Sequence, residues 1–283
     1  MTLVAALACL FSLAPGLSAP QTPEDLWDRY RTLAATGTAH ANPELEAFLK
    51  SLTPEQMLAA ARHGCDEAEV IDDPYGRAAA CASAIVAFLS NYFDNSPSEE
   101  EGARALLQII ANDAESPWLR YGVVACLSLS KGVEFGNTFR HFAIVQIEQV
   151  QALLSKIIAD PAENHLLRAQ AIQALSSMIT DQARAVYNND PNVRAENRRT
   201  GQVVHVGRMV RAGELQLAPE TVNAMKPIEE RLLDNARLLG QIAADQNEDE
   251  HVRKHARRAL EGYRDQPLER SEEIDAIRAK VKD

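Results

Sequence analysis

The pattern of apolar and polar positions along the chain indicates helices throughout. Apolar residues recur every three or four positions, as on one face of an α-helix, and short polar turns separate the segments. Several segments begin with a capping residue followed by proline, which is tolerated at the first helical position. Such pairs predict helix starts near residues 23, 43, 54, 74, 97 and 117. Further periodic segments run over 138–159, 165–187, 219–244 and 250–264.

Three stretches of the chain align with one another, beginning at Leu106, Leu153 and Leu238. Each ends one helix with a Leu-Leu pair, passes through an acidic polar turn and opens a second helix. The matched arginines in the second helices are Arg120, Arg168 and Arg253. Small or apolar residues follow each arginine at offsets of three and seven positions, which share one helical face, so this seam is predicted to be buried.

A strong helix-capping residue precedes each matched arginine by four positions. The three caps are Ser116, Asn164 and Asp249. Asp73 and Arg77 show the same offset and form a fourth, weaker copy. A fifth copy begins at Asp190 but is broken, because polar residues occupy its seam.

This pattern resembles the HEAT-repeat family, whose second helix opens with Asp, an apolar-Arg pair and small residues that end in Ala-Leu. Val252-Arg253 and Ala259-Leu260 match that pattern best. The resemblance implies an all-α fold of stacked antiparallel helix hairpins, an α-solenoid of the armadillo-like class, in which the cap and arginine residues are structural. The spacing departs from the family between Arg168 and Arg253, which are 85 positions apart.

The predicted organisation has four parts, because the long gap hides an insertion. They are a signal peptide over 1–18, a helical-repeat region over 19–187, an insertion or loop over 188–218, and a C-terminal helical repeat over 219–283 packed on the same solenoid. A weakly alternating segment in the insertion fits a small β-hairpin with Gly207 near its turn, and it fits a long surface loop equally well.

The first twenty residues carry no charge and are rich in Leu, Ala and Val, which is typical of a secretory signal peptide. Gly16-Leu17-Ser18 supplies a small-x-small cleavage pattern, so the mature chain is predicted to begin near Ala19, in a periplasmic or extracellular location. No Lys or Arg precedes the apolar run, which leaves a retained N-terminal anchor open, and Cys9 leaves lipidation open. The mature chain is expected to have no membrane span.

The net charge of −11 is unevenly placed, with 18 acidic against 8 basic residues over 19–136. Since an acidic surface repels phosphate, no nucleic-acid partner is expected. A basic stretch in the insertion either binds an acidic surface or is simply solvated. Its members are Arg194, Arg198, Arg199, Arg208 and Arg211.

Three further sets of residues were weighed as chemical sites. Cys65 and Cys81 form either a disulfide, which export permits, or two free buried thiols. His251 and His255 are spaced as a metal pair, but neighbouring cations oppose metal binding and favour a solvated helix face. Ser128 and Lys131 have the Ser-x-x-Lys spacing of some penicillin-binding enzymes without their companion motifs.

No catalytic, cofactor-binding or metal site is therefore predicted. The leading hypothesis is a scaffold or adaptor that binds another protein or a peptide segment, because stacked helix pairs offer an extended curved face. Two alternatives stay open: an enzyme with its site in the insertion or between helices, and a structural subunit that self-assembles in the cell envelope.

Overall fold

The computed structural model describes residues 21–36, 42–89, 96, 98–128, 139–140, 143–144, 146–203, 205–264 and 266–281, and their regular structure is all helical. The predicted signal peptide and Lys131 lie outside these residues. The α-helices described are α1 (Pro23–Ala34), α2 (Pro43–Lys50), α3 (Pro54–Glu67), α4 (Pro74–Leu89), α5 (Glu99–Ala111), α6 (Pro117–Ser128), α7 (Ile147–Ala159), α8 (His165–Tyr187), α9 (Pro191–Thr200), α10 (Val206–Arg211), α11 (Pro219–Ala244), α12 (Glu250–Tyr263) and α13 (Ser271–Ala279).

Cap geometry explains why five helices begin where the proline pairs predict, at Pro23, Pro43, Pro54, Pro74 and Pro117. At α1, the Thr22 side chain accepts a hydrogen bond from the Asp25 N–H while the Asp25 carboxylate accepts from the Thr22 N–H. Thr53 and Gln56 form the same reciprocal box at α3. Each box satisfies two backbone groups that a helix end would otherwise leave without a partner.

Two predicted boundaries are wrong. Helix α5 begins at Glu99 rather than 97, because the side chain of Ser98, not Ser96, accepts the hydrogen bond from the Glu101 N–H. The periodic segment 138–159 is a continuous helix only from Ile147 onward in the described residues.

The helices pack as pairs whose second members form one continuous layer. Within the pairs, α3 contacts α4, α5 contacts α6, α7 contacts α8 and α11 contacts α12. Between pairs, α4 contacts α6, α6 contacts α8, and α8 contacts α12. The seam predicted on the second helices is buried between the members, and its residues Val123, Leu127, Ala171, Leu175, Ala256 and Leu260 are all at most 1% exposed.

A glycine allows the closest approach in this layer, between α4 and α6. A Cβ placed on Gly122 would lie 2.8 Å from Ile85 Cγ1 and 3.1 Å from the Cys81 carbonyl oxygen. Because the obstacle includes backbone, any larger residue at this position would push the two helices apart.

The insertion contains two short helices, α9 and α10, and no strand among its described residues. The β-hairpin alternative is therefore wrong for these residues, and α9 and α10 occupy much of the segment that the other alternative treats as a long surface loop. Gly207, placed near a hairpin turn by the sequence, is instead buried in α10 beside Val206. The positive φ expected of a turn glycine occurs at Gly201, which ends α9.

Asp190 connects the insertion to the start of α11. It is fully buried, and its carboxylate caps α9 and accepts a 2.7 Å hydrogen bond from the Ala218 N–H. Burial alone would raise the pKa of Asp190, but hydrogen bonds from Thr221 and from backbone N–H groups outweigh it and lower that pKa. The fifth copy of the repeat therefore has the capping residue, Asp190, but lacks the apolar seam.

Helix α13 was not predicted, and it packs on α11 and α12 at the C-terminal end of the described chain. Ile274 is buried there, and the Arg278 guanidinium donates to Glu261 and Asp275. None of the helices that the structure describes is long and apolar enough to cross a membrane.

Candidate functional site

The cap residues singled out by the repeat all occupy helix starts. Asp73, Ser116, Asn164 and Asp249 each accept a hydrogen bond from a backbone N–H two or three positions further on. The matched arginines consequently lie in the first turn of α4, α6, α8 and α12, where the helix dipole disfavours a cation. Each arginine therefore depends on specific acceptors.

Arg120 and Arg168 solve this in the same way. Their Nε atoms each donate, at 3.0 Å, to a carbonyl in the last turn of the preceding helix, Ile110 or Ile158. Their Nη atoms reach a carboxylate in the turn of the following pair, Glu163 at 2.5 Å or Glu248 at 2.5 and 2.7 Å. Both arginine side chains are almost fully buried. We call Arg120, Glu163, Arg168 and Glu248 the ladder.

The acidic turn before each matched arginine offers carboxylates as partners, but among the described residues only Asp113 pairs with the arginine of its own turn, at 3.3 Å from Arg120. Arg168 contacts neither Asp160 nor Glu163, because stacking of the pairs brings the next turn closer than its own. A signal for the true partners was present. A glutamate directly precedes each cap, at Glu115, Glu163 and Glu248, and each pairs with an arginine of the preceding pair.

The other two matched arginines have different surroundings. Arg77 donates twice to the Ile71 carbonyl and lies 5.2 Å above the ring of Trp118. Among the described residues, the Arg253 side chain donates to Gln246 Oε1 alone, at 3.1 Å, and its buried Nε finds no acceptor. Arg257 instead reaches the carbonyl of Ala243, the position equivalent to Ile158.

A groove lies between the second helices of the pairs. It consists of two adjoining cavities of about 190 and 430 Å³ that share Gln173 and His255. Helices α4, α6, α8 and α12 supply its walls. Among the described residues no carboxylate lines either cavity, although the chain as a whole carries a net charge of −11.

Aromatic side chains fill the end of the groove near α4. The Tyr75 hydroxyl lies 3.2 Å from His251 Nδ1, and the His251 ring contacts those of His165 and His255. Burial lowers the pKa of His251, against a smaller opposing effect of the Asp249 charge, and burial together with the neighbouring His251 charge lowers the pKa of His255. Both rings are therefore neutral at neutral pH, and each offers one hydrogen-bond donor and one acceptor.

Hydroxyl and amide groups line the other end of the groove, between α8 and α12. Asn235 donates to Tyr263 and Ser176, and burial raises the pKa of Tyr263 to about 12, so its hydroxyl stays protonated. Gln266 is 5% exposed, and its Oε1 accepts no hydrogen bond from the described residues. Arg258 is exposed there and pairs with no described carboxylate.

The cysteines lie away from the groove. Cys65 and Cys81 are free thiols in the structure, both buried, with Cys65 Sγ 3.9 Å from the Cys81 carbonyl oxygen. The neighbouring Cys81 thiol, together with burial, strongly raises the pKa of Cys65. The arrangement corresponds to the second of the two sequence interpretations, and a protonated buried thiol reacts slowly.

The remaining candidates lie apart from one another. His251 and His255 are adjacent, but no group of three residues suited to a metal ion occurs within the described ranges. Ser128 accepts a hydrogen bond from Gln170 Nε2 at 2.7 Å, and its notional partner Lys131 falls outside those ranges. Arg208 and Arg211 share a polar cavity with Arg264, which the sequence had not grouped with them.

Sequence reasoning missed most of the groove. Gln170, Gln173 and Ser177 lie on α8 and Tyr121 lies on α6, and no sequence motif marks any of them. The one local signal was the pair His251 and His255, which the sequence placed on a solvated face. No protein-family model, no curated protein and no solved structure matches this chain, so the residues of the groove carry the functional assignment by themselves.

Proposed function

We propose that this chain is an exported helical-repeat protein that acts as a scaffold or adaptor by binding an extended segment of another protein in the groove. The observation that carries the proposal is the continuity of the groove across α4, α6, α8 and α12. The order in which these helices contact one another supports an α-solenoid of the HEAT type, whose stacked second helices suit extended peptide chains.

The chemistry of the groove suits a peptide backbone. Gln170, Gln173 and the neutral rings of His251 and His255 present both donors and acceptors, which is what alternating N–H and C=O groups require. The groove walls include alanines at positions 78, 79 and 259, whose side chains are short, so the main chain of a bound peptide can approach the walls closely. An extended segment can thus be held by its backbone with few demands on its side chains.

The positive charge of the groove favours particular side chains in the bound peptide segment. Arg258 has no described carboxylate partner, and Arg184 shares Asp181 with Arg140. Since no acid lines the groove, an aspartate, a glutamate or a free C-terminal carboxylate is favoured beside Arg258.

The test is selection from a random peptide library displayed on phage, followed by calorimetry of a selected peptide. We expect enrichment of acidic residues. Replacing Gln173 with Trp fills the junction of the two cavities and should weaken binding by at least about tenfold. Gln241 is also exposed and helical but lies outside the groove, so Gln241→Trp is the matched control. Equal binding by both variants would place the peptide elsewhere and refute the proposal.

Export is the second part of the proposal and rests on the uncharged apolar run of residues 1–18. We expect native protein to begin at Ala19, and Edman sequencing of material from the source cell envelope measures this directly. An intact Met1 on most molecules would contradict cleavage and favour the retained anchor.

A further inference from the structure

A second cavity is formed where the insertion meets the C-terminal helices, and it does not depend on the function proposed for the groove. Its volume is about 370 Å³. We call it the insertion pocket. Its apolar lining consists of Val210, Leu215, Leu217, Val222, Met225, Pro267 and Leu268.

Backbone geometry brings the insertion to this place. Gly213 follows the end of α10 with a φ of +71°, and the Glu214 N–H then donates to the Met209 carbonyl at 2.9 Å. This reversal is a common way to end a helix, and it returns the chain toward α11. Leu215 and Leu217 thereby face the first turns of α11 across the cavity.

One buried carboxylate lines this apolar cavity. Glu229 is 5% exposed, and its Oε1 accepts a hydrogen bond from the Arg270 N–H. No described residue donates to Oε2, and Oε2 is not among the buried atoms closed off from solvent. Because Oε2 is open to the cavity and no described residue donates to it, it can accept a hydrogen bond from a charged donor of a ligand, and such a bond is stronger than one between neutral groups.

No cation balances this charge inside the cavity. Arg270 is the nearest guanidinium, and Glu230 and Glu273 already bind it. Glu269, the second carboxylate of the lining, is exposed at the rim and adds to the negative potential. The site therefore combines apolar walls, one inner carboxylate and an acidic rim.

We propose that the insertion pocket binds a small organic ammonium ion with an apolar body. Its N–H groups donate to Glu229 Oε2, and its hydrocarbon part lies between Val210, Leu217 and Met225. Anions are repelled by both carboxylates, and neutral molecules of the same size lack the positive charge that strengthens the hydrogen bond to Oε2.

The test compares three probes of equal chain length on the full chain: n-hexylammonium, n-hexanol and n-hexanoate. Binding is followed by NMR of methionine methyl groups, because Met225 lines the pocket while Met57 and Met178 are buried elsewhere and act as internal references. We expect n-hexylammonium to shift the Met225 methyl signal and to bind at least about tenfold more tightly than n-hexanol. Hexanoate should not bind.

Two variants assign the effect to the carboxylate. Glu229→Gln keeps an oxygen for the Arg270 N–H and should reduce hexylammonium affinity to that of hexanol. Glu220→Gln makes the same charge change on α11 outside the pocket and should leave the preference intact. Equal affinity of the amine and the alcohol for the wild-type protein overturns the proposal, and this comparison does not require either variant to fold.

Discussion

Two glutamates, the partly buried Glu248 and the buried Glu229, lie in opposite environments. Glu248, in the ladder, accepts two hydrogen bonds from Arg168, whereas Glu229, in the insertion pocket, accepts a backbone N–H among apolar side chains. The Arg168 guanidinium lowers the pKa of Glu248, and burial raises the pKa of Glu229. The same residue type therefore stabilises the ladder through an ion pair, whereas in the insertion pocket its charged form is disfavoured by burial.

The difference teaches how the repeat works. A ladder carboxylate belongs to one helix pair and its arginine to the preceding one, so the ion pair ties neighbouring pairs together. Arg253 occupies the matched position in the last aligned repeat, but it reaches only Gln246 in its own turn. Among the described residues, Arg77 also lacks the carboxylate of the following pair, because Arg62 rather than Arg77 pairs with Glu115, so the ion pair between pairs is made by Arg120 and Arg168.

The largest effect on stability is expected when the ladder is broken at Arg168. Replacement by Lys keeps the charge but cannot hold the Ile158 carbonyl and both oxygens of Glu248 together. We expect Arg168→Lys to lower the free energy of unfolding by about 1–3 kcal/mol, measured by urea denaturation.

Arg253→Lys is the matched control, because Arg253 occupies the same position without a carboxylate partner. Its effect should stay within about 0.5 kcal/mol, as for an ordinary surface change. Equal losses from both variants would show that the pairing with Glu248 contributes nothing. Loss of peptide binding in Arg168→Lys at an unchanged melting temperature would instead give the arginine a functional role.

A smaller expected effect is a difference in how the stability contributions of the two glutamates depend on pH. Because the folded-state pKa of Glu248 is lowered, its contribution is present above the pKa of the unfolded chain and is lost as the pH falls through the folded value. Glu248→Gln should cost about 1 kcal/mol at neutral pH, the difference between a charged and a neutral hydrogen bond, and little at acidic pH.

The contribution of Glu229 to stability should change with pH in the opposite direction. Its folded-state pKa is raised, so the folded chain binds more protons than the unfolded chain. The free-energy cost of burying the charged carboxylate therefore grows as the pH rises through the folded value. Glu229→Gln should therefore raise the melting temperature at neutral pH and leave it unchanged in acid. Thermal unfolding of both variants from acidic to neutral pH measures the two slopes, and slopes of the same sign would contradict the comparison.

Much of the secondary structure could be predicted from local chemistry. Helices α8 and α11 have the predicted bounds, and the caps Asn164 and Asp249 lie where the repeat placed them. The local alternation did not predict the insertion helices, and Val206 there is part of the hydrophobic core. Helix α13 carried no capping signal, and packing on α11 and α12 stabilises it.

The sequence by itself determined the helices, their caps and the buried seam, because these follow from hydrogen bonds and apolar spacing within a few positions. Tertiary structure alone decided which carboxylate each ladder arginine binds, since Arg168 and Glu248 are 80 positions apart and meet only when the pairs stack. It likewise decided the groove and the insertion pocket. Their side chains come from several helices, and no local pattern specifies where one helix lies relative to another.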